Sequence, residues 1–309
     1  MRVIVSGASG LIGTALVPAL RAAGHEVGRL VRGRAATAPG DVTWSPGEGV
    51  IDAAGLEGVD GVVHLSGESI FAGLRRWTSA KRIRIRESRV GTTALLARTL
   101  AGLSRKPGVL VLITGSGFYG DRGDELLTEE SPGGTGFLAD VSREWEAAAL
   151  PATAAGVRLV SLRTGLVLDR RGGLLGPLLL PFRLGVGGPI GRGRRYWSWI
   201  TIDDLIAVFR FALESSALAG PVNTASPNPV TNGEFARVLG RVLARPALIP
   251  VPPVLLRLLF GREPANETML TSARLVPGRL LAAGFQFRFP DLEDALRHVL
   301  QRHRIADSR

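Results

Sequence analysis

Residues 2–17, RVIVSGASGLIGTALV, decide the fold. A strand-like run, RVIVS, gives way to glycines at Gly7, Gly10 and Gly13, and then to apolar residues at helical spacing. In such a loop the first glycine permits a tight turn and the second lets the backbone approach a pyrophosphate. The third lets the helix pack closely on the strand. The helix N-terminus adds unsatisfied N–H groups and partial positive charge, which suit a diphosphate. A dinucleotide is the ligand this spacing needs.

Outward from the loop, the first helix ends at Gly24, a natural C-cap, and Pro18 is expected to bend it. Strand signals follow at EVGRLVR (26–32), VTW (42–44), GVVHLSG (61–67), GVLVLITGS (108–116) and VRLVSLRTGLVL (157–168). Helical signals fall at SRVGTTALLARTLAGL (88–103) and SREWEAAALPATAAG (142–156). This alternation predicts an α/β, Rossmann-type doubly wound parallel sheet with helices on both faces. Beyond residue 170 the chain turns rich in glycine and proline and reads as a loop-rich cap over a site. TIDDLIAVFRFALESS (201–216) is read as a helix opened by Asp203 or Asp204, and GPVNTAS (220–226) as a late strand. The resulting division is a dinucleotide-binding domain over 1–240, with 170–200 contributing to the cap. A small, mostly helical C-terminal cap over 241–309 is expected to carry the substrate region.

The end of the second strand bears on cofactor choice. An NAD site would place an acidic residue there for the ribose hydroxyls; this chain has Arg32, with Arg34 close behind. A guanidinium pairs with a 2′-phosphate, so NADP is the expected cofactor. The 309 residues are 45% hydrophobic and 21% charged, an ordinary globular composition. Cysteine is absent, which removes disulfides, thiolate nucleophiles and cysteine metal ligands and leads us to expect a reducing, cytoplasmic setting. The strand opening at Arg2 leaves no room for a removable leader, and the apolar stretches 172–182 and 250–261 are short and broken by proline. No membrane association is therefore expected. The net charge of +11 comes almost wholly from scattered arginine, with lysine only at Lys81 and Lys106, so nucleic acid is not an expected partner. His25, His298 and His303 lack metal-ligand spacing, and His64 reads as a packed strand histidine.

The loop SGASGLIG resembles that of the extended short-chain dehydrogenase/reductases. HLSGESI (64–70), RRWTSAKRIRIRESRVGTTALL (75–96), EWEAAA (144–149), LRTGLVLDRRGGLL (162–175), PFRLGVGGPIGRG (181–193), WSWITIDDL (197–205) and GPVNTASPNPVTNGEFARVL (220–239) resemble an atypical epimerase-family, NADP-binding subgroup. RPALIPVPPVLLRLLFG (245–261) and GFQFRFPDLEDAL (284–296) are similar to that subgroup's own C-terminal domain. The resemblance implies cofactor contacts by Gly7, Ser9, Gly10, Leu11, Ile12 and, through the glycine loop, Gly13. It implies further contacts by Arg32, by Leu65, Ser66 and Gly67, by Arg84 and Arg89 on the following helix, and by Leu166 and Leu168 near the nicotinamide.

The same family ordinarily uses a tyrosine with a lysine four residues on. Here the only tyrosines are Tyr119 and Tyr196, and four residues beyond them stand Gly123 and Ile200. Where EWEAAA matches the family's helix, the tyrosine and lysine positions hold Leu138 and Ser142; a leucine exchanges no proton. The segment ITGSGFYG (113–120) leaves Thr114 and Ser116 as candidate donors to a substrate carbonyl, or as groups that merely orient the nicotinamide or cap backbone. Tyr119 is expected at the same mouth. Glu68, Arg76, Trp77 and Lys81 suit an anionic substrate, or else form a solvated face around a buried tryptophan. Trp197 and Trp199 floor a pocket or fill core. Thr201 stands where many relatives carry a histidine. Two functions remain open: an NADP-dependent oxidoreductase or epimerase on an unidentified small molecule, and a non-catalytic NADP-binding regulatory or scaffold protein, as cell-division labels on some relatives suggest. The chain is expected to be a monomer or a homodimer paired through a helical face.

Overall fold

β1 (Arg2–Ser6) has no solvent-facing side, and its alternation assigns the two helical layers. Val3 and Val5 face one layer, where α1 (Leu11–Ala22) packs; Ile4 faces the other. The computed structural model describes residues 1–33, 38–70 and 76–301; Arg34 and His303 lie outside the described residues. After α1 come β2 (Glu26–Arg32), β3 (Val42–Ser45), β4 (Val50–Ile51), α2 (Ala53–Leu56) and β5 (Gly61–His64). α3 (Ser79–Arg86) runs through a π-helical turn, Glu87–Gly91, into α4 (Thr92–Gly102), followed by β6 (Val109–Gly115) and a 3₁₀ turn, Ser116–Tyr119. Then come β7 (Leu126–Leu127), α5 (Phe137–Ala148), α6 (Leu150–Ala154) and β8 (Arg158–Thr164). The helix expected over 142–156 thus starts earlier and divides, because Pro151 sits in the first turn of α6 and cannot continue α5.

The expected sixth strand also divides. β8 stays in the main sheet, but at Gly165 the chain leaves it: Leu166 N–H donates to Ser198 O at 2.8 Å. β9 (Leu166–Asp169) then joins a second sheet with β10 (Gly172–Gly173) and, after α7 (Leu175–Arg183) and β11 (Tyr196–Trp197), with β12 (Trp199–Thr201). α8 (Ile202–Glu214), β13 (Gly220–Thr224), β14 (Val230–Thr231) and α9 (Asn232–Val242) complete the first three-quarters of the chain. The C-terminal segment holds α10 (Pro253–Phe260), α11 (Arg262–Glu267), β15 (Arg274–Leu275), α12 (Gly278–Ala282) and α13 (Leu292–Gln301).

The main sheet has the order β13-β8-β6-β5-β1-β2-β3-β4, parallel throughout except for β4 against β3. The chain runs outward from β1 through β2 and β3, then returns to β5 and runs the other way. The switch point therefore lies between β1 and β5, and ligands gather beyond the strand C-termini there. α1 and α8 cover one face with a core that includes Leu16, Leu20, Leu205 and Phe209. α4, α6 and Trp145 of α5 cover the other. A fully buried leucine such as Leu16 contributes roughly 1.5–3 kcal/mol through the area it removes from water.

The cap has its own core of Leu175, Leu179, Phe182, Phe235 and Leu296, and Trp197 and Trp199 belong to it. Its C-terminal part is stitched to the rest of the chain: β15 pairs in parallel with β7, and Trp197 bridges Ala273. Asp203 and Asp204 do not cap α8, contrary to the sequence reading. Thr201 is the N-cap, its hydroxyl accepting from Asp204 N–H at 3.1 Å. Asp204 instead accepts from Arg288 N–H at 2.8 Å and Phe289 N–H at 3.0 Å, anchoring the segment before α13, while Asp203 meets His298 at 3.1 Å. Among the described residues no helix is long and apolar enough to cross a membrane, and no group of His, Asp and Glu is placed to hold a metal.

Candidate functional site

Two glycines of the opening loop are required by contact. Gly7 has φ +64°, and a β-carbon there would lie 2.8 Å from the Leu65 carbonyl carbon at the end of β5. A β-carbon on Gly13 would lie 2.4 Å from Gly7 O, so only glycine lets α1 sit this close to β1. Gly10 is the extended N-cap of α1 and has no side chain to satisfy the first-turn amides. Those amides open toward the sheet's switch point, where a diphosphate finds donors without displacing a protein group.

A cleft of about 500 Å³ runs from this loop across the C-terminal ends of β1, β5, β6 and β8. Gly7, Gly10, Leu11, Ile12, Gly13, Leu65, Gly67, Arg89, Thr114, Ser116 and Leu166 all line it. An adjoining outer chamber of about 950 Å³ is lined by Arg32, Arg84, Gly67 and the β3–β4 turn; Gly67 belongs to both. Most of the sequence-derived residues therefore fall along one track. Ser9 is exposed at the loop crest, Ser66 is buried behind the strand end, and Leu168 is buried in the cap core; none of the three lines the cleft.

Arg89 holds the junction. Its guanidinium lies 5.2 Å from the Trp145 ring centroid and donates to Ile85 O at 3.1 Å, and burial lowers its pKa to about 10. In the outer chamber Glu68 accepts from Lys81 at 2.6 Å and from Arg84 at 3.2 Å. The Lys81 hydrogen bond, ahead of Arg84, holds the Glu68 carboxyl below its ordinary pKa. The i,i+4 spacing of Trp77 and Lys81 would put both on one helix face, but Thr78 caps α3, so Trp77 precedes the helix and packs edge-on against Phe137.

At the inner end, α5 presents Leu138 and Ser142 to the cleft, the two positions at which the family pattern would place a tyrosine and a lysine. Thr114 is nearly buried and turns its hydroxyl inward, 3.3 Å from Leu162 O and 3.4 Å from Glu146. Ser116 lines the cleft with no side-chain hydrogen bond among the described residues. Tyr119 does not reach the mouth, which corrects the sequence reading. It is fully buried, its hydroxyl donating to Asn223 Oδ1 at 2.6 Å and accepting from Arg163 at 3.0 Å. Burial raises its pKa, so it stays a protonated structural phenol. Arg163 pairs with Glu146 at 2.8 Å and stacks 3.5 Å over Phe118. Burial works against that charge, and the Glu146 bonds outweigh it to raise the guanidinium's pKa. His64 is likewise structural: fully buried, with Nδ1 2.7 Å from Ser6 Oγ.

The tyrosine that does line the cleft is Tyr196, and Glu267, Thr268, Thr271 and Ala273 of the C-terminal segment line it too. Glu267 accepts from Phe137 N–H at 2.8 Å and Leu138 N–H at 2.6 Å, filling the N-terminus of α5. The one advance signal for Tyr196 was its place in an extended run beside the tryptophans. Nothing local pointed to Glu267. Trp197 touches the cleft at its edge, Trp199 does not, and Thr201 is spent as a cap.

A switch-point cleft with a glycine loop, a basic outer chamber and a hydroxyl-bearing inner end under a cap defines a Rossmann-type nucleotide-binding protein of the extended short-chain dehydrogenase/reductase class. The chain belongs to the NAD dependent epimerase/dehydratase family, whose pattern matches residues 3–224; residues 251–299 match a domain of unknown function, DUF1731. It is similar to the epimerase family protein SDR39U1 of Bos taurus, at 43% identity over 97% of this chain and 100% of that one. An epimerase family protein of Mycobacterium tuberculosis is 41% identical over 97% of this chain and 98% of the relative. Among solved structures, human epimerase family protein SDR39U1 with NADPH superposes with a TM-score of 0.88 at 40% identity, covering 97% of this chain and 99% of that one. The nucleoside-diphosphate sugar epimerase from Corynebacterium glutamicum gives a TM-score of 0.78 at 37% identity, covering 97% of this chain and 58% of that one.

Proposed function

We propose that this protein is an NADP-dependent oxidoreductase or epimerase acting on a small molecule with a carbonyl, or an alcohol that becomes one. The reading is carried by the continuous track from Arg32 through Gly67 and Arg89 to Ser116, a cradle that suits a dinucleotide lengthwise. The NADPH in the human SDR39U1 structure supports the same reading. The α1 amides and Gly7 would hold the diphosphate, and Arg32 the adenosine 2′-phosphate, while Leu166, Thr114 and Ser116 would flank the nicotinamide. Bound there, the cofactor supplies or accepts a hydride. Ser116, whose hydroxyl is uncommitted among the described residues, donates to the substrate carbonyl; Thr114 stiffens the strand end behind it. Arg89, half-buried and pinned to the α3–α4 helix run, excludes water from the diphosphate's flank and offers it a fixed cation.

Leu138 and Ser142 favour the rival, an NADP-binding protein without turnover, because the usual proton-transfer pair is missing from α5. The two are separated by incubating the protein with C4-deuterated NADPH and a library of aldehydes and ketones. Deuterium in an alcohol product supports the enzyme. Tight NADPH binding with no label in any product supports the rival.

A further inference from the structure

Among the described residues, the ionisable side chains that line the inner cleft are Arg89, Tyr196 and Glu267. Arg89 keeps its proton throughout the working range and is tied to Ile85 O and Ser88. Glu267 has both carboxylate oxygens engaged, accepting from the Phe137 and Leu138 amides. Tyr196 lines the cleft, and its hydroxyl is the one that makes no hydrogen bond to a described residue and is not among the buried unpartnered atoms, so it is accessible.

The ring is held from both sides of its backbone. Tyr196 N–H donates to Ser272 Oγ at 2.8 Å, and Tyr196 O accepts from Ala273 N–H at 3.2 Å. That register brings Arg274 against the phenol: its guanidinium carbon lies 4.5 Å from the ring centroid. Arg274 forms no ion pair among the described residues, and its Nε is buried without a partner. A cation over an aromatic face attracts the ring's electrons, and the attraction grows as the phenol oxygen becomes negative.

We infer that Tyr196, with Arg274 as its positioning residue, exchanges the proton in this cleft, restoring in space the pair that α5 lacks. The inference rests on the proposed NADP-dependent chemistry. In the reductive direction a hydride from reduced nicotinamide bonds to the carbonyl carbon, and the C=O π pair passes to oxygen. That oxygen takes the proton from Tyr196 Oη, and water returns one to the phenolate. Oxidation of the alcohol runs these transfers backwards.

The chain has only two tyrosines, which makes chemical modification decisive. The full-length protein is treated with tetranitromethane, with and without NADP⁺, and nitrated peptides are mapped by mass spectrometry. The expected result is nitration of Tyr196 and not of buried Tyr119, slowed severalfold by NADP⁺. Nitration of Tyr196 that NADP⁺ leaves unchanged, in protein shown by NADPH fluorescence to bind cofactor, overturns the inference and leaves the cofactor reading intact.

Turnover is then followed as NADPH oxidation with phenanthrenequinone and with diacetyl. Tyr196→Phe should lose roughly 10²-fold in kcat while its NADPH Kd stays at the wild-type value. Arg274→Met should lose less, and Arg274→Lys should recover part of that loss, which a merely structural arginine would not show. Turnover that survives Tyr196→Phe sinks the pair alone. Wild-type protein that binds NADPH but reduces neither carbonyl sinks the proposed function, and the pair's role with it.

Discussion

Mild acid should loosen this fold through His64 before most carboxylates are protonated. The ring is fully buried between Ser6 Oγ, 2.7 Å from Nδ1, and Thr92 Oγ1, 3.3 Å from Nε2, and burial lowers its pKa from 6.5 to about 3. The unfolded chain takes up a proton as the pH falls below 6.5, whereas the folded chain refuses it until about 3. Stability is therefore full above pH 6.5 and drains away between there and about 3, by about 1.4 kcal/mol per pH unit. At about pH 5 the loss is roughly 2 kcal/mol relative to about pH 8. Urea unfolding of the wild type and of His64→Asn at both pH values reads it. Asparagine keeps a partner for Ser6 and does not titrate, so the variant, less stable at high pH, should lose about 2 kcal/mol less on acidification. Equal losses in the two proteins would refute the argument and show that His64 carries its proton inside the fold.

Gly13→Ala forces a methyl into the Gly7 carbonyl and should cost roughly 1–3 kcal/mol in thermal or urea unfolding while abolishing NADPH fluorescence enhancement. Tyr119→Phe strips Arg163 and Asn223 of a buried partner, so stability should fall by roughly 1–3 kcal/mol while NADPH affinity stays unchanged. Asp204→Ala orphans the Arg288 and Phe289 amides at about 1–3 kcal/mol each; hydrogen exchange should quicken from residue 288 into α13 while β1 stays protected.

The glycine loop and the parallel sheet were legible because they rest on local rules: turn glycines, alternation and helix spacing; most residues expected along the cleft came instead from the family resemblance. What stayed hidden depends on contacts between distant segments. Tyr119 and Tyr196 look alike in sequence, each beside an aromatic residue. One is sealed in by Asn223 and Arg163, the other lines the cleft and is held by residues 272–274, and no window of sequence holds those partners. The same holds for Asp204. An acidic pair at a helix start signals a cap, yet Thr201 one turn earlier took that role and freed Asp204 for the segment before α13. The division of the sixth strand followed from Ser198, whose carbonyl captures Leu166 N–H and draws the chain out of the main sheet. Glu267 gave no advance signal, because its role exists only once the C-terminal segment folds back onto α5.

In the proposed function the α1 amides take a dinucleotide's diphosphate while Arg32 selects the 2′-phosphate. Isothermal titration of the full chain with NADPH and with NADH, on wild type and Arg32→Ala, tests it most directly. The account predicts saturable binding of both, tighter for NADPH, with the preference shrinking roughly tenfold in the variant. Absence of heat with either nucleotide, or a clear preference for NADH in the wild type, would contradict it.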